Sequence, residues 1–227
     1  MQLRPGICLL ALISFVGLNA RASAQASPVN TIWPIDDTVK IGGHAATILG
    51  QPQVITESAL KSVHFNGATD GLLLPINPVE TFAEFTIEVL LKPDRDGPEE
   101  QRFLHLQDEL GSRGLMEIRL TQQGWALDTF LYSLKTESRC TLLDRAKLHP
   151  AERWTWVALV YAHGHMTQFI NGVKELEGDV NFPPMLAGKI SLGVRQNKIY
   201  WFKGGIREVR FHAAALDGEK LQHSASE

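Results

Sequence analysis

The chain has 227 residues, with 22 Lys and Arg against 25 Asp and Glu, so its formal net charge is −3 at pH 7. A mildly acidic chain lacks the concentrated positive charge with which proteins bind nucleic acids or anionic membrane surfaces, and we expect neither partner. Hydrophobic residues make up 44% of the chain, so it can bury a core without the disulfides that very small domains need.

The first residues are predicted to be a cleaved signal peptide, residues 1–24. Arg4 supplies a positive charge, and residues 7–18 form an apolar run of the length of a signal-peptide core. That run is too short to span a bilayer, which needs about 20 residues. Ala22 and Ala24 are the small residues that a signal peptidase recognises. We therefore expect cleavage after Ala24 and export to the periplasm or the medium of a bacterium; the alternative is an uncleaved anchor.

The rest of the chain is predicted to be one domain. Residues 25–60 are weakly patterned and indicate an N-terminal arm that leads into the first strands, and the regular pattern of the main domain extends over residues 61–227. One cysteine, Cys140, remains after cleavage, so no internal disulfide is expected. No other apolar stretch reaches membrane length, so we expect no membrane insertion after signal cleavage.

Short apolar alternations recur from residue 61 onwards, separated by Gly, Pro, Asn and Asp, which is the pattern of short strands joined by turns. The nearly continuous apolar run at 154–162 predicts a strand covered on both faces. Asn171 and Gly172 predict a hairpin turn because both accept positive φ, and a helical pattern fits only residues 216–222. Many short strands without a long helix indicate an antiparallel sandwich or barrel. The predicted strands are 62–66, 71–74, 85–92, 102–107, 115–121, 125–134, 138–143, 154–162, 166–170, 173–176, 190–194, 199–203 and 205–211.

Several segments carry a resemblance to a known family. In chain order they are VHFNG (63–67), FTIE (85–88), WTWVALVY (154–161), FINGV (169–173), FKGGIREVRF (202–211) and AAL (214–216). These segments resemble the laminin-G-like (LamG) group of the concanavalin A-like lectin and glucanase superfamily, over about residues 60–221. The resemblance implies an all-β fold, a two-sheet antiparallel β-sandwich of the jelly-roll type. Family members often have Asp where this chain has Arg207, so a cation replaces an acceptor there.

Catalysis is not expected from the sequence. Glycoside hydrolysis normally uses two carboxylates about 5–10 Å apart, and the hydrolase branch of the superfamily places them on one strand. The strands that hold Glu88 and Glu117 each offer one carboxylate. A cross-strand pair of these two residues, joined by Asp128, stays open as an alternative. No nucleophile, zinc or phosphate-loop motif is present.

Ligand-binding residues are predicted on one sheet face and in loops, because such folds bind carbohydrate with polar sheet faces and stacking aromatics. Alternation places the face candidates on exposed positions, and turns hold the loop candidates. The face candidates are Glu88, Glu117, Arg119, Asp128 and Tyr132, and the loop candidates are Trp125, Tyr200 and Trp201.

Calcium is the ion that the acidic turns suit, because it takes oxygen ligands supplied by loops. Asp70, Asp94 and Asp96 are the candidate ligands. The alternative is that these residues only stabilise turns by local hydrogen bonds. No other cofactor is expected.

The sequence therefore favours an exported, non-catalytic binding module, with carbohydrate, such as a polysaccharide or glycan, as the first ligand class. The fold hosts many functions, and two alternatives stay open: an adhesion or assembly module that binds extracellular protein, and a polysaccharide hydrolase or lyase. Glycan binding separates the first two, and an exposed carboxylate pair at hydrolytic distance would favour the third.

Overall fold

The computed structural model describes residue 2 and residues 30–224. The predicted signal peptide, apart from residue 2, lies outside the described residues. In chain order the strands are β1 (Asn30–Pro34), β2 (Lys40–Ile41), β3 (His44–Ala45), β4 (Thr47–Leu49), β5 (Gln53–Glu57), β6 (Leu60–Asn66), β7 (Gly71–Leu74), β8 (Phe85–Pro93), β9 (Glu100–Asp108), β10 (Arg113–Thr121), β11 (Gly124–Tyr132), β12 (Arg139–Leu143), β13 (Thr155–Ala162), β14 (His165–Ile170), β15 (Val173–Asp179), β16 (Gly188–Leu192) and β17 (Lys203–His212).

Two large antiparallel sheets enclose the hydrophobic core. Sheet I has the strand order β15-β14-β13-β8-β17-β6-β5, with β1 also paired to β17, and sheet II has the order β12-β11-β10-β9-β16-β7-β4. Strands β2 and β3 form a separate small hairpin. The prediction of an all-β, two-sheet antiparallel sandwich is confirmed.

Strand β13 lies between β14 and β8 in sheet I, and both of its faces are apolar. Val157 and Leu159 belong to the main core between the sheets. Ala158 and Val160 pack on the other face with Leu221 of the C-terminal segment. Burying a large aliphatic side chain stabilises a fold by roughly 1.5–3 kcal/mol, so this strand anchors the sheet as its apolar run predicted.

One turn and one close approach between strands depend on glycine. Asn171 and Gly172 join β14 to β15 with φ values of 47° and 72°, which confirms the predicted hairpin turn. Gly204 has φ 142°, and a Cβ there would lie 2.4 Å from the carbonyl oxygen of Lys92. Strand β17 can therefore approach β8 at this point only with glycine.

The N-terminal segment contributes strands to both sheets. Strand β1 pairs with β17 and β5 pairs with β6 in sheet I, whereas β4 pairs with β7 in sheet II. Among the described residues, no helix has the length and apolar character that a membrane crossing requires.

The predicted strand at 199–203 is wrong. Lys198 and Tyr200 have φ values of 61° and 58°, which extended strands do not adopt. The N–H of Arg195 donates to the carbonyl oxygen of Ile199 at 3.3 Å, so the chain turns here and the strand begins only at Lys203.

The predicted helix at 216–222 is also wrong, since only a 3-10 turn forms at Gly218–Lys220. The flanking residues Asp217 and Leu221 are extended. Leu221 is buried against β13, so packing onto sheet I overrides the local helical pattern.

Candidate functional site

A polar patch lies on the outer face of sheet II, on the neighbouring strands β9, β10 and β11. Alternation along β10 places Met116 in the core and leaves Glu117 and Arg119 on the other face. Glu117 lies opposite Arg102 of β9 and opposite Asp128 of β11. These side chains therefore form one row across three strands.

Two arginines bridge the carboxylates of this row. Arg119 Nη2 lies 3.1 Å from Glu117 Oε2 and 2.5 Å from Asp128 Oδ2. Arg102 Nε lies 2.8 Å from Glu117 Oε1, and Arg102 Nη1 lies 3.1 Å from Glu100 Oε2. Glu117 and Asp128 are buried, and shielding from solvent strengthens interactions between charges.

Most of the buried side-chain polar atoms that lack a hydrogen-bond partner among the described residues belong to this patch. Arg207 Nε is the exception on sheet I. Arg102 Nε is close to Glu117 but is not aligned for a hydrogen bond. An unpaired buried polar group costs about 1–3 kcal/mol, so ordered water or a polar group of a ligand is expected to complete the bonds of such a cluster. The atoms without a hydrogen bond here are Asp128 Oδ1, His105 Nε2, Arg113 Nε, Arg102 Nε, Arg119 Nε and Arg119 Nη1. Two of them still form ion pairs, because Arg102 Nε lies 2.8 Å from Glu117 Oε1 and Arg119 Nη1 lies 3.4 Å from Glu100 Oε2.

The proton on His105 is placed by its neighbours. The backbone N–H of Gln196 donates to His105 Nδ1 at 3.1 Å, so Nδ1 is an acceptor and the neutral ring carries its proton on Nε2. Burial, together with the nearby positive charges of Arg195, Arg113 and Arg102, lowers the pKa of His105 to about 3. At neutral pH, His105 Nε2–H is therefore a buried donor.

The two buried carboxyls are harder to ionise than usual. Burial raises the pKa of Glu117 to about 7, which the attraction of Arg102 opposes and the nearby Asp128 reinforces. Burial likewise raises the pKa of Asp128, opposed by Arg119. Loss of hydration outweighs the ion pairs, so the patch can change its charge near neutral pH.

Two tyrosines border the patch and stack on its arginines. The guanidinium carbon of Arg102 lies 3.7 Å from the ring centroid of Tyr200, and that of Arg113 lies 4.5 Å from the ring centroid of Tyr132. Tyr200 is 39% exposed, and Tyr132 is half-buried. Stacking on a cation holds each ring in place.

The patch surrounds a shallow depression of about 230 Å³ whose lining includes Glu117, Asp128 and four arginines. This volume is below the range of about 300–1,000 Å³ that is usual for enclosed small-molecule sites, so a ligand here would lie across the surface. We call this surface the sheet-II patch, and it consists of Arg102, His105, Arg113, Glu117, Arg119, Asp128, Tyr132, Arg195 and Tyr200.

The structure brings most of the predicted face residues together. Glu117, Arg119, Asp128 and Tyr132 all lie in the sheet-II patch, and the turn after β16 adds Tyr200. The predicted exposure of Glu117 and Asp128 is wrong, however, because the two residues are only 3% and 1% exposed. Trp201, the next residue, is half-buried.

Glu88 does not belong to the patch, and its predicted exposed position is wrong. It lies on β8 in sheet I and is 1% exposed. Glu88 Oε1 lies 2.9 Å from His212 Nε2, and Oε2 accepts a hydrogen bond from the backbone N–H of Gln222 at 2.6 Å. The C-terminal segment covers this face of the sheet, and the cross-strand pair of Glu88 with Glu117 does not form because the two residues lie in different sheets.

Trp125 is a core residue, so its predicted position as an exposed loop aromatic is wrong. It is 0% exposed, and its Nε1–H donates to the carbonyl oxygen of Pro150 at 3.1 Å. A Cβ on Gly124 would lie 2.3 Å from the carbonyl oxygen of His149. Glycine before Trp125 thus lets the loop at 149–150 pack over the start of β11 and cover the indole.

The candidate calcium ligands do not converge. Among residues 30–224 no group of three or more His, Cys, Asp or Glu side chains is arranged to hold a metal ion. Asp70 Oδ1 accepts from the backbone N–H of Gln51 at 2.8 Å, Asp94 Oδ2 lies 2.9 Å from a histidine ring nitrogen, and Asp96 Oδ2 accepts from Lys203 Nζ at 2.7 Å. Each carboxylate thus already has a protein partner.

Sequence reasoning missed Arg113 of β10 and Arg195 of the turn after β16, and it also missed Arg102 and His105 of β9, where a bulge interrupts the alternation. The register between β9 and β10 shifts after Met116, and Phe103 is an extra residue of β9. This bulge changes the phase of alternation, so the outward positions before and after it cannot be read from one period. The presence of an arginine and a histidine close together on β9 was the one feature of the sequence that could have indicated these residues.

Known proteins share this architecture. Residues 66–222 match the model of a family, Laminin_G_3, described as the concanavalin A-like lectin/glucanases superfamily. No curated protein sequence matches the chain.

Similar solved structures come from different organisms. Domain 4 of AbnA, a GH43 extracellular arabinanase from Geobacillus stearothermophilus in complex with arabinotriose, has a TM-score of 0.63 and 22% identity, over 86% of this chain and 97% of that chain. The binding domain of botulinum neurotoxin DC in complex with SialylT has a TM-score of 0.58 and 14% identity, over 84% of this chain and 49% of that chain. A heptameric SAP-like pentraxin from Limulus polyphemus has a TM-score of 0.54 and 16% identity, over 70% and 78% of the two chains. At these identities the likeness concerns the fold.

Proposed function

Because the chain belongs to the Laminin_G_3 family of the concanavalin A-like lectin/glucanase superfamily, we propose that it is an exported, non-catalytic carbohydrate-binding module and that the sheet-II patch is its binding surface. The observation that carries this proposal is the set of buried donors and acceptors without partners. His105 Nε2–H is a donor and Asp128 Oδ1 is an acceptor. A sugar hydroxyl both donates and accepts, so different hydroxyls of a glycan that lies across strands β9 to β11 can bond to the two groups.

The rest of the patch suits the same ligand. Arg113 Nε and Arg119 Nε are further N–H donors that make no hydrogen bond within residues 30–224. Tyr200 presents an exposed aromatic ring on which the apolar face of a sugar ring can stack. The AbnA domain, which has this fold, forms a complex with arabinotriose, and this supports carbohydrate as the ligand class here.

Export rests on the N-terminal sequence. A positive n-region, an apolar core of signal-peptide length and small residues at Ala22 and Ala24 are the features of a cleaved signal peptide. Extracellular or cell-wall polysaccharide is the carbohydrate that an exported module would meet.

Polysaccharide hydrolysis is the competing function, and one observation favours it: Glu117 and Asp128 are neighbouring carboxyls with raised pKa values. However, Arg119 Nη2 contacts both carboxylates, at 3.1 and 2.5 Å. A glycosidase needs that intervening space for the sugar carbon and the leaving oxygen. We therefore favour binding without bond cleavage. Release of reducing ends from a bound polysaccharide, abolished by Glu117→Gln, would support hydrolysis instead.

Protein binding is the other alternative. Strand β5 is at the edge of sheet I, and its residues Val54 and Ile55 are exposed. Exposed edge strands can pair with a strand of another chain. A pull-down with the mature protein tests this role if glycans do not bind.

The experiment is a glycan array probed with residues 25–227, first with calcium and then with a chelator. We expect selective binding to a subset of glycans, and we expect Asp128→Asn to lose that binding. The matched control is Asp217→Asn, which changes an exposed carboxylate near the C-terminus. Thermal unfolding verifies that both variants fold. Sensitivity to the chelator would add calcium to the site, and absence of binding in both conditions would contradict the carbohydrate proposal.

A further inference from the structure

A second depression, of about 500 Å³, lies on the outer face of sheet I, on the opposite side of the sandwich from the sheet-II patch. This volume lies within the range of about 300–1,000 Å³ that is usual for small-molecule sites. Trp154 and Trp156 line it together with the loop that precedes β13, and His223 and Ser224 of the C-terminal segment form another part of its wall. We call this depression the sheet-I cleft.

The indole of Trp154 is held firmly in this cleft. A Cβ on Gly205 would lie 2.8 Å from Trp154 Cη2, so the glycine lets the ring lie against strand β17. The indole Nε1–H donates to Glu57 Oε2 at 2.9 Å. The guanidinium carbon of Arg207 lies 4.0 Å from the Trp154 ring centroid, and this stacking fixes the plane of the arginine as well.

Arg207 is a half-buried cation with incomplete charge compensation. Its side chain is 15% exposed, and its nearest carboxylate oxygen, Glu57 Oε2, lies 3.7 Å away. That oxygen is already 2.8 Å from Lys92 Nζ and accepts the bond from Trp154. Arg207 Nε has no hydrogen-bond partner among the described residues. A half-buried guanidinium in this state can form further charge-assisted hydrogen bonds with an incoming anion.

A second arginine adds positive charge to the cleft, whereas His149 of the lining is paired with Glu175 at 2.7 Å. Arg153 lines the cleft and is exposed, and it has no ion-pair partner within residues 30–224. No Asp or Glu of the described chain lines the cleft. The field inside it therefore favours a negatively charged ligand.

We propose that the sheet-I cleft binds a carboxylated sugar unit of an acidic polysaccharide, with the carboxylate on Arg207 and Arg153 and the apolar face of the sugar ring against Trp154. The planar fork of a guanidinium matches the two oxygens of a carboxylate. The aromatic wall supplies an apolar surface for the ring that a small inorganic anion would leave unused. This site is separate from the sheet-II patch, so the two proposals can fail independently.

The test is isothermal titration of the mature protein with tetragalacturonate and with its fully methyl-esterified form, in which each carboxylate is replaced by a neutral methyl ester. We expect the acid to bind and the ester to bind at least tenfold more weakly. Arg207→Gln and Trp154→Ala should each weaken binding of the acid at least tenfold. Arg207→Lys keeps the charge but loses the two-point contact, and we expect an intermediate loss.

Two controls locate the effect in the cleft. Arg145→Gln removes an exposed arginine that pairs with Glu99 on the surface, and Tyr132→Ala alters the sheet-II patch. Neither variant should change binding of the acid by more than about twofold. The proposal is overturned if tetragalacturonate does not bind, if the ester binds as tightly, if Arg207→Lys and Arg207→Gln bind like the wild type, or if Tyr132→Ala abolishes binding.

Discussion

Glu117 and Asp128 are direct partners on neighbouring antiparallel strands, and both carboxylates contact Arg119 Nη2, at 3.1 and 2.5 Å. The shared cation holds the two carboxyls at a fixed spacing. Burial nevertheless raises the pKa of each, because the loss of hydration exceeds the attraction. The pair is therefore ordered and yet able to take up a proton near neutral pH.

Glu117→Gln is expected to flatten the pH dependence of stability. The pKa of Glu117 rises from 4.5 in the unfolded chain to about 7 in the folded protein, so the folded state binds more protons between these values. Protonated Glu117 therefore contributes to the free energy of unfolding. This contribution is fully present below about pH 4.5 and is lost as the pH rises through about 7. As the pH rises across this window, the free energy of unfolding of the wild type should therefore fall by on the order of 3 kcal/mol more than that of the variant.

Urea unfolding from about pH 5 to about pH 8 measures this difference. Glu109→Gln, on an exposed turn, is the matched control and should follow the wild type. Parallel losses in the wild type and Glu117→Gln would contradict the raised pKa.

Glu88→Ala is expected to loosen the C-terminal segment. The change leaves His212 Nε2 and the N–H of Gln222 without their acceptor, and two unpaired buried groups should lower the free energy of unfolding by about 2–4 kcal/mol. Thermal unfolding measures the loss, and limited proteolysis should cut near Gln222 sooner than in the wild type. Equal stability and an unchanged cleavage pattern would show that Glu88 does not secure the segment; Glu219→Ala, beside it on the surface, serves as control.

Trp125→Ala is expected to destabilise the fold without altering the binding surface. The indole is fully buried and bonded to Pro150, and removing a buried aromatic side chain typically costs about 3–5 kcal/mol. Tyr200→Ala should cost less than about 1 kcal/mol because its ring is largely at the surface. Denaturant unfolding of both variants measures the two losses of stability. A larger loss in Tyr200→Ala than in Trp125→Ala would contradict a buried Trp125 and an exposed Tyr200.

Cys140 is expected to react slowly with alkylating reagents. Burial raises the pKa of its thiol, and Asp179 raises it further, so less of the reactive thiolate is present. Iodoacetamide at about pH 8 should label the peptide that contains Cys140 more slowly than it labels glutathione, with the rate restored in denaturant. Mass spectrometry follows the label, and equal rates for the folded protein and glutathione would argue against a protected thiol.

The sheet-II patch shows what strand periodicity can and cannot predict. Glu117, Arg119 and Asp128 lie on regularly alternating strands, and the sequence alone was enough to place them on one face. Glu88 has the same local signal, but the C-terminal segment, more than 120 residues away in sequence, covers it. A period of two reports which face a residue is on and does not report what packs against that face.

Turn and bulge geometry limited the rest of the prediction. The bulge at Phe103 brings Arg102 into line with Glu117, and the positive φ values at Lys198 and Tyr200 bring the tyrosine ring onto Arg102. Neither feature involves the glycine that usually signals positive φ, so residue type did not identify them. The sandwich itself could be predicted because the segments that resemble the family coincide with strands of sheet I, namely β6, β8, β13, β14 and β17.

The most direct test of the carbohydrate proposal is isothermal titration of the best glycan from the array into the wild type, Tyr200→Ala and Ile199→Ala. Ile199 is 40% exposed beside Tyr200 and is the matched control for loss of an exposed side chain. We expect Tyr200→Ala to bind at least tenfold more weakly, about 1.4 kcal/mol, and Ile199→Ala to bind like the wild type. Equal affinity in Tyr200→Ala and the wild type would contradict binding at the sheet-II patch.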